Sequence, residues 1–212
     1  TDPTLYYTFD IEDGRITRLY VNSKKEGIQN CSMNIYLLDR ELLIDLVNTA
    51  FVHGKEYFER DILLPHINKL NVQAYKYDKY IARICDVKSY FDENMKLLDD
   101  YNLDSLFSGN PIYTKIRDDN PTRYIEDSKI QNVMVDDGCV IEGEVENSVI
   151  FRGVKIAKGA KVKNCILMQD TVVEPGAEIE YLITDKNVKI SAGKDMKGTD
   201  THPVYISKYQ EV

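Results

Sequence analysis

The sequence predicts two kinds of fold in series: a mixed α/β segment, then an all-β parallel β-helix. Three observations predict this. From Ser128 to Ile190, small or branched aliphatic residues return at Ile130, Val135, Ile141, Val145, Ile150, Ile156, Val162, Met168, Val173, Ile179, Thr184 and Ile190, in steps of five or six residues with a single four. Many of these have a second small or aliphatic residue two places earlier, as in Val154/Ile156, Ala160/Val162, Ala177/Ile179 and Val188/Ile190, and glycine stands three places earlier at Gly138, Gly153, Gly159 and Gly176. Before the repeat, strand-like alternation and helix-like spacing follow one another without such a beat.

The step length decides the second fold. A helix would need a spacing near 3.6, and a simple half-buried strand would alternate without a break. Here the alternation lasts one short strand, stops at a corner holding Gly or Asp, and restarts. Three strands and three corners make one coil of a β-helix, whose inward residues are buried by the coils above and below. Glycine suits the corners because it tolerates positive φ. A β-sandwich would place its turns every 8 to 12 residues, which is too long for this pattern.

From the start of the chain, Leu5 to Phe9 reads as a strand, Glu12-Asp13-Gly14 as a turn, and Arg15 to Val21 as the second arm of a hairpin. A polar loop from Asn22 to Asn30 leads to the apolar run Cys31 to Leu38, which has the composition of a central strand. Asp39 is placed to cap a helix from Arg40 to about Ala50, with Leu42, Leu43, Leu46 and Val47 on one face. Short helical turns are expected over Phe58 to Leu70, interrupted at Pro65. The runs 72–77 and 80–84 read as paired strands around Asp78-Lys79. Asp86 then caps a helix from Val87 to about Asp100, with Tyr90, Met95 and Leu98 inward. From Tyr101 to Asp127, Gly109-Asn110-Pro111 and Asn120-Pro121 favour extended backbone. The domain reading is therefore 1–104 for the α/β part, 105–127 for a linker and 128–212 for the β-helix.

Composition narrows the function classes. The 212 residues carry a formal net charge of −8, without the basic face that nucleic acid or a membrane surface would require. Cys31, Cys85, Cys139 and Cys165 are scattered without C-x-x-C spacing, and two of them occupy aliphatic slots of the repeat. That usage fits reduced, buried cysteines of a cytoplasmic protein. No apolar run has membrane-spanning length, and neither G-x-G-x-x-G nor the P-loop pattern is present.

The residues that carry a family resemblance are the S-M-x-I-Y run at 32–36, Arg60 to Pro65, Ser89 to Leu98, Asn110 to Ile116 and Asn147 to Met168. In this order, with hairpin, helix and hexapeptide coils between them, they resemble the C-terminal half of the ADP-glucose pyrophosphorylase (glucose-1-phosphate adenylyltransferase) family, and within it the second, GlgD-type subunit. The resemblance implies that 1–104 is the C-terminal half of a Rossmann-like nucleotidyltransferase domain, so that residue 1 would fall inside a domain. It also implies a left-handed β-helix, against the usual right-handed rule for parallel crossovers, and assembly into tetramers.

The family reaction joins ATP and glucose 1-phosphate with release of pyrophosphate, using Mg²⁺. Its catalytic members carry Glu-Lys-Pro after the second hairpin strand, where this chain has Val21, Asn22 and Ser23. They carry a metal-binding Asp where this chain has Arg83. A guanidinium offers Mg²⁺ no lone pair, and Asn cannot replace a charge set against phosphate. Ser32 matches a glucose-contacting serine, although Asn34 follows where the family has Gly. Local hydrogen bonding is the alternative role for Ser32, and Arg83 is either a surface strand arginine or, in a degenerate site, a partner for a carboxylate or an effector phosphate. Arg152, Lys155, Lys158, Lys161 and Lys163 form an acid-free basic run. Either it is a solvated surface, or it meets an anionic effector or an acidic neighbour.

Three function classes follow. The first is a regulatory, non-catalytic subunit that binds no cofactor itself and acts on a catalytic partner subunit, or assembles with itself, in glycogen biosynthesis. The second is a sugar-nucleotide transferase active only when full length. The third is a hexapeptide acyltransferase, which would need a histidine base between coils. His53, His66 and His202 all lie outside the repeat.

Overall fold

The computed structural model of the chain describes residues 6–22, 26–109, 111–114 and 117–212. The expectations at Leu5, Ser23, Asn110, Lys115 and Ile116 fall outside these residues. The chain divides into two compact units, Thr1–Asp78 and Lys79–Val212.

In the first unit, β1 (Tyr7–Glu12) and β2 (Arg15–Val21) form an antiparallel hairpin that turns at Asp13 and Gly14, both at positive φ. β3 (Asn30–Cys31) pairs with the other edge of β1, giving the order β2-β1-β3. The apolar run expected as a strand to Leu38 stops pairing after Cys31, so among the described residues only its first step is in the ladder. α1 (Arg40–Val52) follows, with both Glu41 N–H and Leu42 N–H donating to the Asp39 carboxylate at 2.8 and 3.2 Å. A π-helical turn, Phe58–Leu63, runs into the short α2 (Leu64–His66) and buries Ile62 and Leu63.

The strand pair expected over 72–77 and 80–84 does not form. The backbone of 72–74 lies along β2 instead: Ile16 N–H donates to Val72 O at 2.9 Å, and Ala74 N–H donates to Gly14 O at 2.8 Å. The free edge of the hairpin presents unpaired amides and carbonyls, and these outcompete a tight turn at Asp78-Lys79 that lacks glycine.

The second unit opens with α3 (Val87–Lys96). Asp86 and Ser89 cap it reciprocally: Ser89 N–H donates to Asp86 Oδ1 at 2.6 Å, and Asp86 N–H donates to Ser89 Oγ at 3.0 Å. The helix does not continue to Asp100. It ends at Lys96, and the Asp99 carboxylate caps a new helix, α4 (Asp100–Phe107), through Asn102 N–H at 3.2 Å. α4 occupies part of the stretch expected to be extended, because a second Asp cap outweighs the polar, low-propensity run behind it.

The coils then run in order: β4 (Arg123–Tyr124) with β5 (Lys129–Val135); β6 (Val140–Ile141) with β7 (Glu144–Ile150); β8 (Lys155–Ile156), β9 (Lys161–Lys163) and β10 (Ile166–Leu167); β11 (Val172–Val173), β12 (Glu178–Glu180) and β13 (Leu182–Thr184); β14 (Lys189–Ile190), β15 (Asp195–Lys197) and β16 (Val204–Ile206). All pair in parallel with the coil before and after. Partners such as Lys155, Val172 and Lys189 stand seventeen residues apart. Val140 and Lys155 are only fifteen apart, because the corner at Gly143 is two residues shorter. A Cβ there would lie 2.5 Å from Ala160 O and 2.9 Å from Ala157 O.

Ile141, Val145, Ile150, Ile156, Val162, Val173, Ile179 and Ile190 are inward and buried, as the beat predicts. Thr184 is also inward, its hydroxyl 2.9 Å from that of Thr171. Met168 is a correction, since Leu167 takes the inward place in register with Ile150 and Thr184. The alternation is ambiguous there because that strand column is apolar on both sides. Its outward residues Val149, Ile166 and Ile183 pack under Phe91, with Tyr90, Met95 and Leu98 around them. α3 therefore lies on the coils, and the compact-unit boundary falls at Asp78/Lys79 rather than near 104.

Candidate functional site

In the first unit the sequence-derived candidates gather around one end of β1. Tyr7 is opposite Val21 on one side, and on the other its carbonyl accepts from Ser32 N–H at 2.8 Å. Val21 and Ser32 thus flank the same residue of the central strand. Asn22, next along, is exposed and adopts φ +52°.

Ser32 is buried, and its hydroxyl oxygen accepts from Asn34 N–H at 3.0 Å. Asn34 sits at φ +56°, a left-handed conformation that asparagine tolerates better than most residues. An Asn at this place thus preserves a backbone turn that a glycine could also make. The Ser32 hydroxyl lies 3.3 Å from Tyr36 Oη, and Tyr36 O–H in turn donates to Glu59 Oε1 at 2.8 Å. The Tyr36 ring rests on Phe58, with centroids 5.0 Å apart. Burial pushes the Tyr36 phenol well above its usual range; the Ser32 hydroxyl opposes this, and the Glu59 carboxylate adds to it. The result is a hydrogen-bonded chain, Ser32–Tyr36–Glu59, linking the sheet end to the π-helical turn. Tyr36 lay within the S-M-x-I-Y run, but nothing in the spacing pointed to Glu59, 23 residues further on.

Arg83 belongs to the second unit, where it is half-buried in the stretch leading to α3. The basic run is largely matched by acids on neighbouring coils. Arg152 bridges Asp136 at 2.9 Å and Asp119 at 3.4 Å, Lys161 meets Glu178 at 2.7 Å, and Lys163 meets Glu146 at 3.4 Å. Along one outer column the residues in register are Lys129, Glu144, Lys161, Glu178 and Asp195, alternating in sign over the first four and ending on two acids. The hydrogen bond from Lys129 depresses the Glu144 carboxyl, and the bond to Glu178 raises the Lys161 ammonium. This favours a solvated, mutually neutralised surface over an anion site.

His202 lies within the coiled region, in an excursion that widens the step from Leu182 to Val204 to twenty-two residues. It is exposed on that loop, with Nδ1 3.0 Å from Thr201 Oγ1. A base between coils would need a different position.

Residues 116–203 match the family model described as GlmU-like, C-terminal hexapeptide. The glycogen biosynthesis protein GlgD of Bacillus subtilis (strain 168) is 36% identical over 180 residues, 84% of this chain and 52% of the relative. GlgD of Geobacillus stearothermophilus is 40% identical over 132 residues, 62% of this chain and 38% of the relative. The chain belongs to the ADP-glucose pyrophosphorylase family, as a GlgD-type C-terminal part. A glucose-1-phosphate adenylyltransferase of Thermomicrobium roseum is 32% identical over 200 residues, covering 92% of this chain and 47% of that protein. The GlgD-type chain thus spans about half the length, or less, of the curated relatives it matches.

Among the described residues of the GlgD-type chain, no group of three or more His, Cys, Asp or Glu is placed to hold a metal ion. No helix among them is long and apolar enough to cross a membrane.

Proposed function

We propose that this chain is part of a regulatory, non-catalytic subunit that acts in glycogen biosynthesis, in the cytoplasm, by modulating a catalytic subunit that makes ADP-glucose from ATP and glucose 1-phosphate. The observation that carries this reading is the side-chain chemistry at three positions. Val21 and Asn22 stand at the exposed end of β2, where the catalytic members would present a carboxylate to the sugar and an ammonium to its phosphate. Neither residue can do either task. At the position of the metal-binding Asp the chain has Arg83, whose positive charge and lack of a lone pair do not fit Mg²⁺. Phosphoryl chemistry depends on neutralising several phosphate charges at once, so the loss of these groups removes most of what the transition state needs.

What remains supports a structural role. Ser32 is tied to Asn34 and Tyr36, and the coils present strand edges and corners on which a neighbour can rest. The partner is a catalytic subunit of the same family, with self-assembly as the simpler version of the same contact.

The test is to add the full-length protein that contains this chain to a catalytic subunit, and to measure ADP-glucose formation with and without effectors. The expected result is co-purification and a changed rate or effector response. An unchanged partner with no co-purification would overturn the proposal. The 212-residue chain alone should show no turnover with ATP, Mg²⁺ and glucose 1-phosphate.

A further inference from the structure

One face of α1 carries Asp45 and Thr49 in one row and Leu46 and Ala50 in the next, each pair one turn apart. With Lys55, Ile62 and His66, this face lines a half-open cavity of about 180 Å³ within the first unit. Two backbone features shape it. Lys55 N–H donates to Ala50 O at 2.9 Å, which folds the chain back at the end of α1 and returns Lys55 to the cavity wall. His66 Nδ1 lies 2.8 Å from Ile62 O. A carbonyl can only accept, so Nδ1 carries the hydrogen and the neutral ring presents the lone pair of Nε2. Ala50 and Ile62 are buried and Leu46 is half-buried, giving the cavity an apolar floor.

The polar groups around that floor are not used by the fold. Among the described residues, the Asp45 carboxylate, the Thr49 hydroxyl and the Lys55 ammonium bond to no other side chain, and Asp45 and Lys55 do not close on each other into an ion pair. An apolar floor with a few convergent polar groups is the make-up of a small-molecule site. The set is also unequal: Asp45, Thr49 and His66 Nε2 accept, and Lys55 donates. An ammonium has three N–H donors to give to three acceptors, and a carboxylate suits the lone cation. Phosphate would set its charge against Asp45, and a sugar would lay hydroxyls on the apolar floor. A cavity of about 150 Å³ takes benzene, so this one suits a ligand slightly larger, such as valine or leucine. We propose that the cavity binds a free aliphatic α-amino acid, with Asp45, Thr49 and His66 around its ammonium and Lys55 on its carboxylate. The proposal goes beyond the regulatory role above and does not rest on it.

The test is calorimetric titration of the full-length protein that contains this chain, without a catalytic subunit, so that its outcome is separate from that of the regulatory reading. L-leucine and L-valine should bind saturably. Isoamylamine and isocaproate, which each keep the apolar tail and one charge of leucine, should bind about ten-fold or more weakly. Asp45→Asn and Lys55→Met should each weaken leucine binding about ten-fold or more, and Thr49→Val should weaken it less. Asp45 and Thr49 are exposed and Lys55 is half-buried, so all three variants should melt like the parent. Lys55→Met should leave the amine's affinity unchanged, and Asp45→Asn that of the acid, a split that a merely structural role would not produce. No saturable binding of leucine or valine at millimolar concentration overturns the proposal. So do an amine or acid that binds as tightly as leucine, inorganic phosphate or glucose binding in preference, and variants that bind leucine like the parent.

Discussion

The ring of Tyr181 lies 6.0 Å from that of Phe91, and Tyr181 holds this contact from a backbone at φ +54°. In the preceding coils the same corner is taken by Asn132, Asn147 and Asn164, all left-handed. Asparagine adopts that conformation readily; a bulky tyrosine does so at a cost of about 1 to 3 kcal/mol. The contact with α3 offsets it.

Removing the helix side of this contact should be the more damaging change. Phe91→Ala empties the centre of the cluster beneath α3 and should cost about 3 to 5 kcal/mol. Tyr181→Asn relieves the backbone while losing an aromatic pair worth about 0.5 to 1.5 kcal/mol, so its net effect on global stability should be small. Amide exchange should speed up in α3 for both variants, and urea unfolding should separate them.

Glycine substitutions should rank by what a new Cβ meets. At Gly143 it would strike two backbone carbonyls, which cannot move aside, so Gly143→Ala should be severely destabilising. At Gly159 nothing is closer than Gly176 N at 3.8 Å, and only the positive φ resists. Gly159→Ala should therefore cost about 1 to 2 kcal/mol. Thermal melts of the two variants check the order.

An unpaired charge inside the apolar column should unravel it. Ile156 is buried between Ile141 and Val173 of the adjoining coils. Ile156→Asp should lower the melting temperature sharply or prevent soluble expression. A melt like that of the parent would show that the column is not continuous.

Two ends of the pH range should lower stability for opposite reasons. Tyr36 has its phenol pKa raised by burial, so its contribution is complete below pH 10 and fades as pH rises further. Tyr36→Phe should make the alkaline decline shallower. Asp86 has its carboxyl lowered, mainly by the Ser89 amide, so its contribution is present above about pH 3.8 and is lost as pH falls through the folded value. Asp86→Ala should lower stability near neutrality, through loss of the helix cap, and flatten the acid limb. Urea midpoints across pH report both.

The coils were legible because inward positions repeat, and each buried residue is predicted by the one a coil earlier. Met168 misled for a definable reason: Ile166, Leu167 and Met168 are all apolar, since α3 covers the outside of that strand column. α4 was missed because Asp100, Asn102, Asp104 and Ser105 are poor helix formers, and the Asp99 cap is one residue in a polar stretch. The Ser32–Tyr36–Glu59 chain could not be read because it joins a strand end to a π-helical turn across 23 residues. The Cys31–Leu38 run has the composition of a central strand, yet it is not a strand beyond Cys31. Its pairing could not be read, since composition does not say which chain segment supplies the neighbour.

The alternating column Lys129, Glu144, Lys161, Glu178 also has a consequence for how the chain assembles its coils. Inward residues are nearly interchangeable from one turn to the next, so hydrophobic burial alone would tolerate a turn looping out and the next closing over the gap. In such a misfold Lys129 would face Lys161, and Glu144 would face Glu178. Like charges directly opposite on adjacent strands repel. Over the turns from Lys129 to Glu178 the surface charges therefore act as a parity check on the winding, rejecting a skipped turn that the interior would accept; beyond them the check lapses, because Glu178 already faces Asp195.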